Sequence, residues 1–212
     1  MELPRPDPLV SLRRELHAHP EPSGREIGTA ACLREFLLPC NPSRVFDNLG
    51  GHGLAVVFSA PDGAAGPTIA LRAELDALPI RESGERPHAS RDPALAHACG
   101  HDGHMAALCG VAANRRERPL VRGRLVLLFQ PAEETGQGAR AVLADSRWHG
   151  LEVDYVYAVH NLPGYALGEV LLREGVVTVG SIGLIIRLEG RTAHAAHPEQ
   201  GISPAATLSR LV

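Results

Sequence analysis

The apolar residues near the start of the chain recur at the spacing of two amphipathic helices. Asp7-Pro8 is typical of a helix start, because aspartate can cap the N-terminus and proline fits the first turn. Leucines then recur every three or four residues up to Pro20, which predicts the first helix. Ser23 to Glu26 has the form of a capping box, and an apolar stripe continues to Pro39, which predicts the second helix.

The middle of the chain alternates between β-rich runs and helical segments. Leu54 to Ala60 and Thr68 to Leu75 flank the turn-forming sequence PDGAAGP, so we expect these two strands to form a hairpin. Arg124 to Gln130 is almost continuously apolar, as in a strand buried on both faces, and Tyr155 to His160 predicts another strand. Two helices are expected between the strands, over His101–Arg115 and Gly138–Ala144. This alternation predicts an α/β domain with helices on both sides of a mixed sheet.

The pattern changes over residues 180–212. Ser181 to Gly190 alternates as a half-solvated strand would, and Ser203-Pro204 predicts the start of a helix. The sequence stops at Val212 without a helix C-cap signal, which indicates a chain interrupted within a second domain. We therefore expect a first domain over 1–179 and the beginning of a second over 180–212.

Composition and charge exclude several classes of protein. The chain has 212 residues, 44% hydrophobic and 21% charged, so it is neither fibrous nor disordered. All 21 basic residues are arginine and the net charge is −3, with no basic stripe that would indicate nucleic-acid binding. No signal-peptide pattern or long apolar span is present, so we expect no membrane association and a cytoplasmic location. The four cysteines are too sparse for a disulfide framework, which favours reduced thiols.

Candidate chemistry lies where the predicted strands end. Polar groups follow four elements in turn: Asp76, the Cys99–His101 turn, Glu133-Glu134 and His160. In α/β sheets, ligands bind in the crevice beyond the carboxyl ends of the strands. The sequence therefore predicts that these groups form one site.

The sequence HACGHDGH, residues 97–104, indicates a metal site. Cys99 and His101 flank a glycine, so a thiolate and an imidazole can converge on one divalent ion. Asp102 at the helix start is interpreted as an N-cap or helix-dipole partner. Two interpretations stay open for His97 and His104: they could support the metal ligands, or they could simply be partly exposed residues.

Glu133 and Glu134 are adjacent carboxylates that would repel unless a cation were present or one held a proton. One can bind a metal while the other acts as a general base toward an attacking water. The alternative, a solvated acidic loop, fits poorly after a buried strand. His160 on its own would be interpreted as a buried core histidine.

Six ordered blocks of the sequence resemble the signature blocks of the M20 peptidase family, in its amidohydrolase branch that includes hippurate hydrolase, N-acyl-amino-acid hydrolases and indoleacetyl-amino-acid hydrolases. They are ELHAHPEPSGRE (15–26), ALRAELDALPI (70–80), HACGHDGH (97–104), FQPAEETGQGA (129–139), AVHNLPGYALGEV (158–170) and GRTAHAAHPE (190–199). The resemblance implies a zinc-peptidase-like α/β/α catalytic domain followed by the start of an inserted α+β lid, or dimerisation, domain.

The resemblance also implies the roles of individual residues. Two divalent ions, zinc or manganese, cobalt or nickel, would be held by Cys99, His101, Glu134 and His160, together with a later histidine that lies beyond this sequence. Glu133 would be the catalytic base, the Asp76 carboxylate would orient a metal ligand, and His194 would contact the substrate. Two positions depart from the usual pattern: Glu74 stands where the family has aspartate, and Thr192-Ala193 replaces a pair of glycines.

The implied function is metal-dependent hydrolysis of the amide bond of small N-acyl-amino acids, by a protein that is a homodimer at full length. Two alternatives stay open. The chain could be an inactive metal-binding fragment, or a related carbon–nitrogen hydrolase that acts on carbamoyl or ureido substrates.

Overall fold

A computed structural model describes residues 7–115, 117–177, 180 and 184–211. The chain divides into two units, which meet in sequence between Pro163 and Gly164. The first unit carries all five strands and five of the α-helices found in the described residues. The predicted domain boundary between residues 179 and 180 stays a prediction.

The helices of the first unit are α1 (Pro8–Ala18), α2 (Ile27–Leu37), α3 (His101–Asn114), α4 (Gly138–Ala144) and α5 (Ser146–His149). The strands are β1 (Arg44–Leu49), β2 (Gly53–Ser59), β3 (Thr68–Glu74), β4 (Arg124–Gln130) and β5 (Tyr155–Ala158). Short 3₁₀ turns lie at Leu38–Cys40 and Pro61–Gly63. Strand β1 has no counterpart among the sequence predictions, and β5 ends at Ala158 rather than at His160.

The strands form one mixed sheet in the order β1-β2-β4-β3-β5. β1 pairs antiparallel with β2, and β2 pairs antiparallel with β4, whereas β3 is parallel to both β4 and β5. The predicted hairpin of β2 and β3 is therefore wrong, because β4 lies between these two strands. The apolar side chains of β4 point to both faces, and a central position buries both.

Each face of the sheet has its own hydrophobic core, as the predicted α/β architecture requires. Leu127 and Phe129 of β4 join the core under α1, α2 and α3, whereas Val126 and Leu128 join the core under α4 and α5. This alternation follows from the two-residue period of a strand. The predicted α/β fold with helices on both sides of a mixed sheet is confirmed.

The starts of the first two helices differ in how they are capped. Asp7 Oδ1 accepts a hydrogen bond from Leu9 N at 2.7 Å, as predicted. The predicted capping box at Ser23 to Glu26 is wrong, since α2 begins after Glu26 without a side-chain cap from that residue. The carboxylate of Glu21 instead accepts hydrogen bonds from the N–H groups of Gly28 and Thr29, at 3.0 and 2.7 Å.

The second unit contains one α-helix among its described residues, α6 (Ala205–Leu211). Ser203 Oγ accepts a hydrogen bond from Ala205 N at 3.3 Å, in line with the predicted helix start. The predicted strand over 181–190 does not form in residues 184–190, and residues 181–183 lie outside the described part. Leu184 and Ile185 are exposed there, and a strand without a pairing partner is not stable. None of the described helices is long and apolar enough to cross a bilayer.

Removing the Glu21 carboxylate should destabilise the N-terminus of α2, because two backbone donors lose their acceptor. We expect Glu21→Ala to lower the free energy of unfolding by about 0.5–2 kcal/mol. Chemical denaturation measures this difference. Glu35→Ala, at an exposed position of the same helix, is the matched control. Equal stability of the two variants would contradict the cap.

Candidate metal centre

The parallel strands β3, β4 and β5 end at the same edge of the sheet, and the candidate residues follow these ends. Asp76 lies just after β3, Glu133 and Glu134 lie after β4, and His160 lies after β5. Cys99 and His101 come from the turn that opens α3. The donor atoms of Cys99, His101 and His160 lie within 4.8 Å of one another, and so do those of His101, Glu133 and Glu134.

His101 is buried and held in one orientation. Its Nδ1 lies 2.7 Å from the backbone carbonyl oxygen of Asp76 and donates a hydrogen bond to it. That bond leaves Nε2 free to bind a metal, and Nε2 lies 3.8 Å from a carboxylate oxygen of both Glu133 and Glu134. It is the Asp76 carbonyl, and not its carboxylate, that makes the short contact with this ring.

Cys99 and His160 meet although 61 residues separate them in sequence. The Cys99 Sγ lies 3.3 Å from His160 Nε2. The other ring nitrogen of His160, Nδ1, lies 2.9 Å from the backbone oxygen of Asn161. His160 is exposed, in contrast to the buried core histidine that the residue would indicate on its own.

The two adjacent carboxylates differ in exposure. The side chain of Glu133 is 37% exposed, whereas that of Glu134 is 21% exposed. Burial and the neighbouring charge of Glu133 raise the pKa of Glu134, against the opposing effect of His101. A carboxylate in these surroundings gains from a cation beside it.

Buried hydrogen bonds fix the loop that carries these carboxylates. Glu26 is fully buried, and its Oε1 accepts a hydrogen bond from Ala132 N at 2.7 Å. Ala132 adopts a positive φ of 47°, a strained conformation for a non-glycine residue. Asp76 Oδ2 accepts from Glu134 N at 3.0 Å and from Ser23 Oγ at 2.6 Å. The sequence pattern assigned Ser23 and Glu26 to a capping box, but the structure uses both to hold the site.

The site fits a divalent cation. Two buried carboxylate oxygens, Asp76 Oδ1 and Glu134 Oε1, have no hydrogen-bond partner among the described residues. An unpaired buried oxygen of this kind costs free energy that a bound cation would recover. Thiolate, imidazole and carboxylate donors together are those that zinc and related ions accept.

His97 and His104, whose roles the sequence left undecided, are both buried. Burial lowers the pKa of His97 to about 4, and neither of its ring nitrogens has a hydrogen-bond partner among the described residues. His104 lies between Glu74 and Asn161. Burial opposes protonation of His104, but its hydrogen bonds to Glu74 and Asn161 and the charge of Glu74 together raise its pKa. Asn161 was not identified as a site residue from the sequence, because its only signal there is that it follows His160.

Asp102 is not the N-cap of α3, since that position is Gly100. Its carboxylate is fully buried in the first turn, where it accepts hydrogen bonds from His17 Nδ1 at 2.9 Å and Arg13 Nε at 3.1 Å. Sequence reasoning missed these α1 partners. His194 lies in the second unit, where its Nδ1 accepts from Ala196 N at 3.2 Å. Its role toward a substrate stays a prediction.

Comparison with known proteins agrees with this geometry. The model of peptidase family M20/M25/M40 matches residues 70–207. The N-acetyl-L-cysteine deacetylase of Bacillus subtilis is 39% identical over 96% of this chain and 48% of its own length. The N-acetyldiaminopimelate deacetylase of Listeria monocytogenes is 35% identical over 90% of this chain and 50% of its own. The chain thus spans about half the length of these curated relatives.

A solved structure is also similar. The YXEP protein of Bacillus subtilis, described as a dinuclear metal-binding peptidase from the M20 family, matches with a TM-score of 0.66 and 38% identity. The match covers 74% of this chain and 43% of that protein.

Binding of a divalent ion should release a proton from Cys99. Burial and the charges of Glu134 and Glu133 raise the pKa of this thiol to about 11, so without metal the thiol is protonated at neutral pH. Because the thiolate is the ligand form, we expect zinc affinity to increase with pH up to that pKa. Calorimetric titration of the apoprotein in buffers of different ionisation enthalpy counts the protons released. Cys99→Ser should release fewer and Cys32→Ser the same number; an unchanged count in Cys99→Ser would contradict the assignment.

Proposed function

Because the chain belongs to peptidase family M20/M25/M40, we propose that it forms the metal-binding part of an enzyme that hydrolyses the amide bond of N-acyl-amino acids. The observation that carries the proposal is the convergence of Cys99, His101, Glu134 and His160 beside a second, more exposed carboxylate, Glu133. We assign the first four as metal ligands and Glu133 as the general base.

The donor set suits two divalent ions, as in the dinuclear YXEP protein. When bound, such ions supply positive charge that polarises an amide carbonyl and lowers the pKa of a nearby water. Zinc is the first choice for a site containing a thiolate, with manganese, cobalt and nickel as alternatives.

Glu133 is placed to move protons during the reaction. Its carboxylate is the more exposed of the pair, and its Oε2 lies 3.8 Å from His101 Nε2, so the group is open to a water molecule. We propose that Glu133 accepts the proton of the attacking water and returns it to the nitrogen of the leaving amine. Asp76 supports this step by fixing the Glu134 backbone and the His101 ring.

The names of the relatives support the substrate class. Both are deacetylases of N-acetylated amino acids, and we propose a small N-acyl-amino acid for this enzyme too. We also propose that His194 contacts the substrate and that the full-length protein is a homodimer. These assignments follow from the family resemblance.

Replacing Glu133 by glutamine should slow turnover by about two orders of magnitude or more, because the amide cannot accept the proton. The metal content should stay unchanged, since Glu133 is not assigned as a ligand. The measurement is kcat on a panel of N-acyl-amino acids and ureido acids with the full-length protein, combined with elemental analysis.

Two variants control this experiment. Glu85→Gln, at an exposed position, should keep full activity, and Glu134→Gln should lose metal as well as activity. Full activity of Glu133→Gln would remove the base assignment. Turnover of ureido acids alone would replace the proposed substrate class.

A further inference from the structure

A line of polar contacts leads from the buried end of strand β3 to the exposed His160. Glu74, the last residue of β3, is 1% exposed, and its Oε2 accepts a hydrogen bond from His104 Nδ1 at 2.8 Å. Its other oxygen pairs with Arg72. Both carboxylate oxygens therefore have partners, which distinguishes Glu74 from the carboxylates with unpaired oxygens at the metal site. Glu74 is thus placed to hold His104, although donor atoms of Glu74, His101 and His104 also lie within 4.8 Å of one another.

His104, held by Glu74, in turn contacts Asn161. Its Nε2 lies 2.7 Å from Asn161 Oδ1 and 3.1 Å from Asn161 N. Gly100 makes room for the amide: it has a positive φ of 93°, and a Cβ at this position would overlap Asn161 Oδ1. The side chain of Asn161 thus lies between His104 and the turn that carries Cys99, although the residue is exposed.

His160 needs support of this kind. It follows β5, a strand of four residues that are all exposed, and its own side chain is exposed too. Its ring contacts His104 edge-on, with the ring centroids 4.7 Å apart, and its Nδ1 lies 2.9 Å from the carbonyl oxygen of Asn161. Packing against a core does not fix this ring, so its position depends on contacts with His104, Asn161 and Cys99.

We propose that Glu74, His104 and Asn161 form a relay of positioning residues that holds His160 in the orientation in which it binds a metal ion. The proposal rests on the proposed function, because it assumes that His160 is a ligand. Partners of this kind change metal affinity by roughly 10–100-fold when they are removed.

Two substitutions of His104 separate its two hydrogen bonds. Asparagine places an amide nitrogen near the position of Nδ1, toward Glu74, whereas glutamine places one near Nε2, toward Asn161. We expect His104→Asn, which loses the contact with Asn161, to weaken cobalt binding about 10-fold or more. His104→Gln keeps that contact but loses the one with Glu74, so we expect it to weaken cobalt binding by a smaller factor. Absorption titration of the full-length apoprotein with Co²⁺ measures both, and His149→Asn and His149→Gln, at an exposed position, are matched controls.

A second pair of variants tests the same relay from its other end. Asn161→Ala removes the acceptor for His104 and should weaken cobalt binding as His104→Asn does. Asn161→Asp keeps an oxygen at that position and should restore most of the affinity. Thermal unfolding of the apoproteins shows whether a variant has lost its fold, and the Asn161 pair decides the outcome where His104→Asn does not fold.

The outcomes separate the relay from the proposed function. His160→Ala should weaken cobalt binding at least as much as His104→Asn. If His160→Ala has no effect, His160 is not a ligand, and both the relay and that part of the proposed function are wrong. If His160→Ala weakens cobalt binding but His104→Asn and Asn161→Ala do not, or if His104→Gln binds cobalt as tightly as the parent protein, the relay as proposed is wrong.

Discussion

β3 pairs in parallel with β4 on one side and with β5 on the other, so that three strands end at the same edge of the sheet. The proposed ligands and the proposed base come from different parts of the sequence, and this pairing brings them to one edge of the sheet. The pairing in turn depends on β4, whose apolar side chains fill the cores on both faces. The site is therefore a consequence of how the sheet is buried.

The sequence predicted the positions of the candidate ligands better than it predicted the sheet. Asp76, Glu133 and His160 could be located because each follows an apolar run, and parallel strands place such residues together. The pairing of β2 with β4 could not be foreseen, because strand order depends on contacts distant in sequence. β1 was missed because three of its six residues, Arg44, Asp47 and Asn48, are polar and exposed, so the strand has no continuous apolar pattern.

Residues used by the site were also the ones that local rules misassigned. Ser23 and Glu26 match a capping box, yet their side chains bind Asp76 and the Ala132 backbone. Asp102 was interpreted as an N-cap or a helix-dipole partner; it lies in the first turn of α3, but its carboxylate binds His17 and Arg13 of α1. In each case a tertiary hydrogen bond displaces a local one, and the sequence alone gives no measure of that competition.

The buried contact between Glu26 and Ala132 spans 106 positions of the chain. It joins the segment before α2 to the loop that presents Glu133 and Glu134, and it stabilises a left-handed backbone that alanine rarely adopts. This contact constrains the design of chimaeras between relatives. The segment around Glu26 and the loop around Ala132 have to be taken from the same parent, because neither keeps its shape beside a mismatched counterpart.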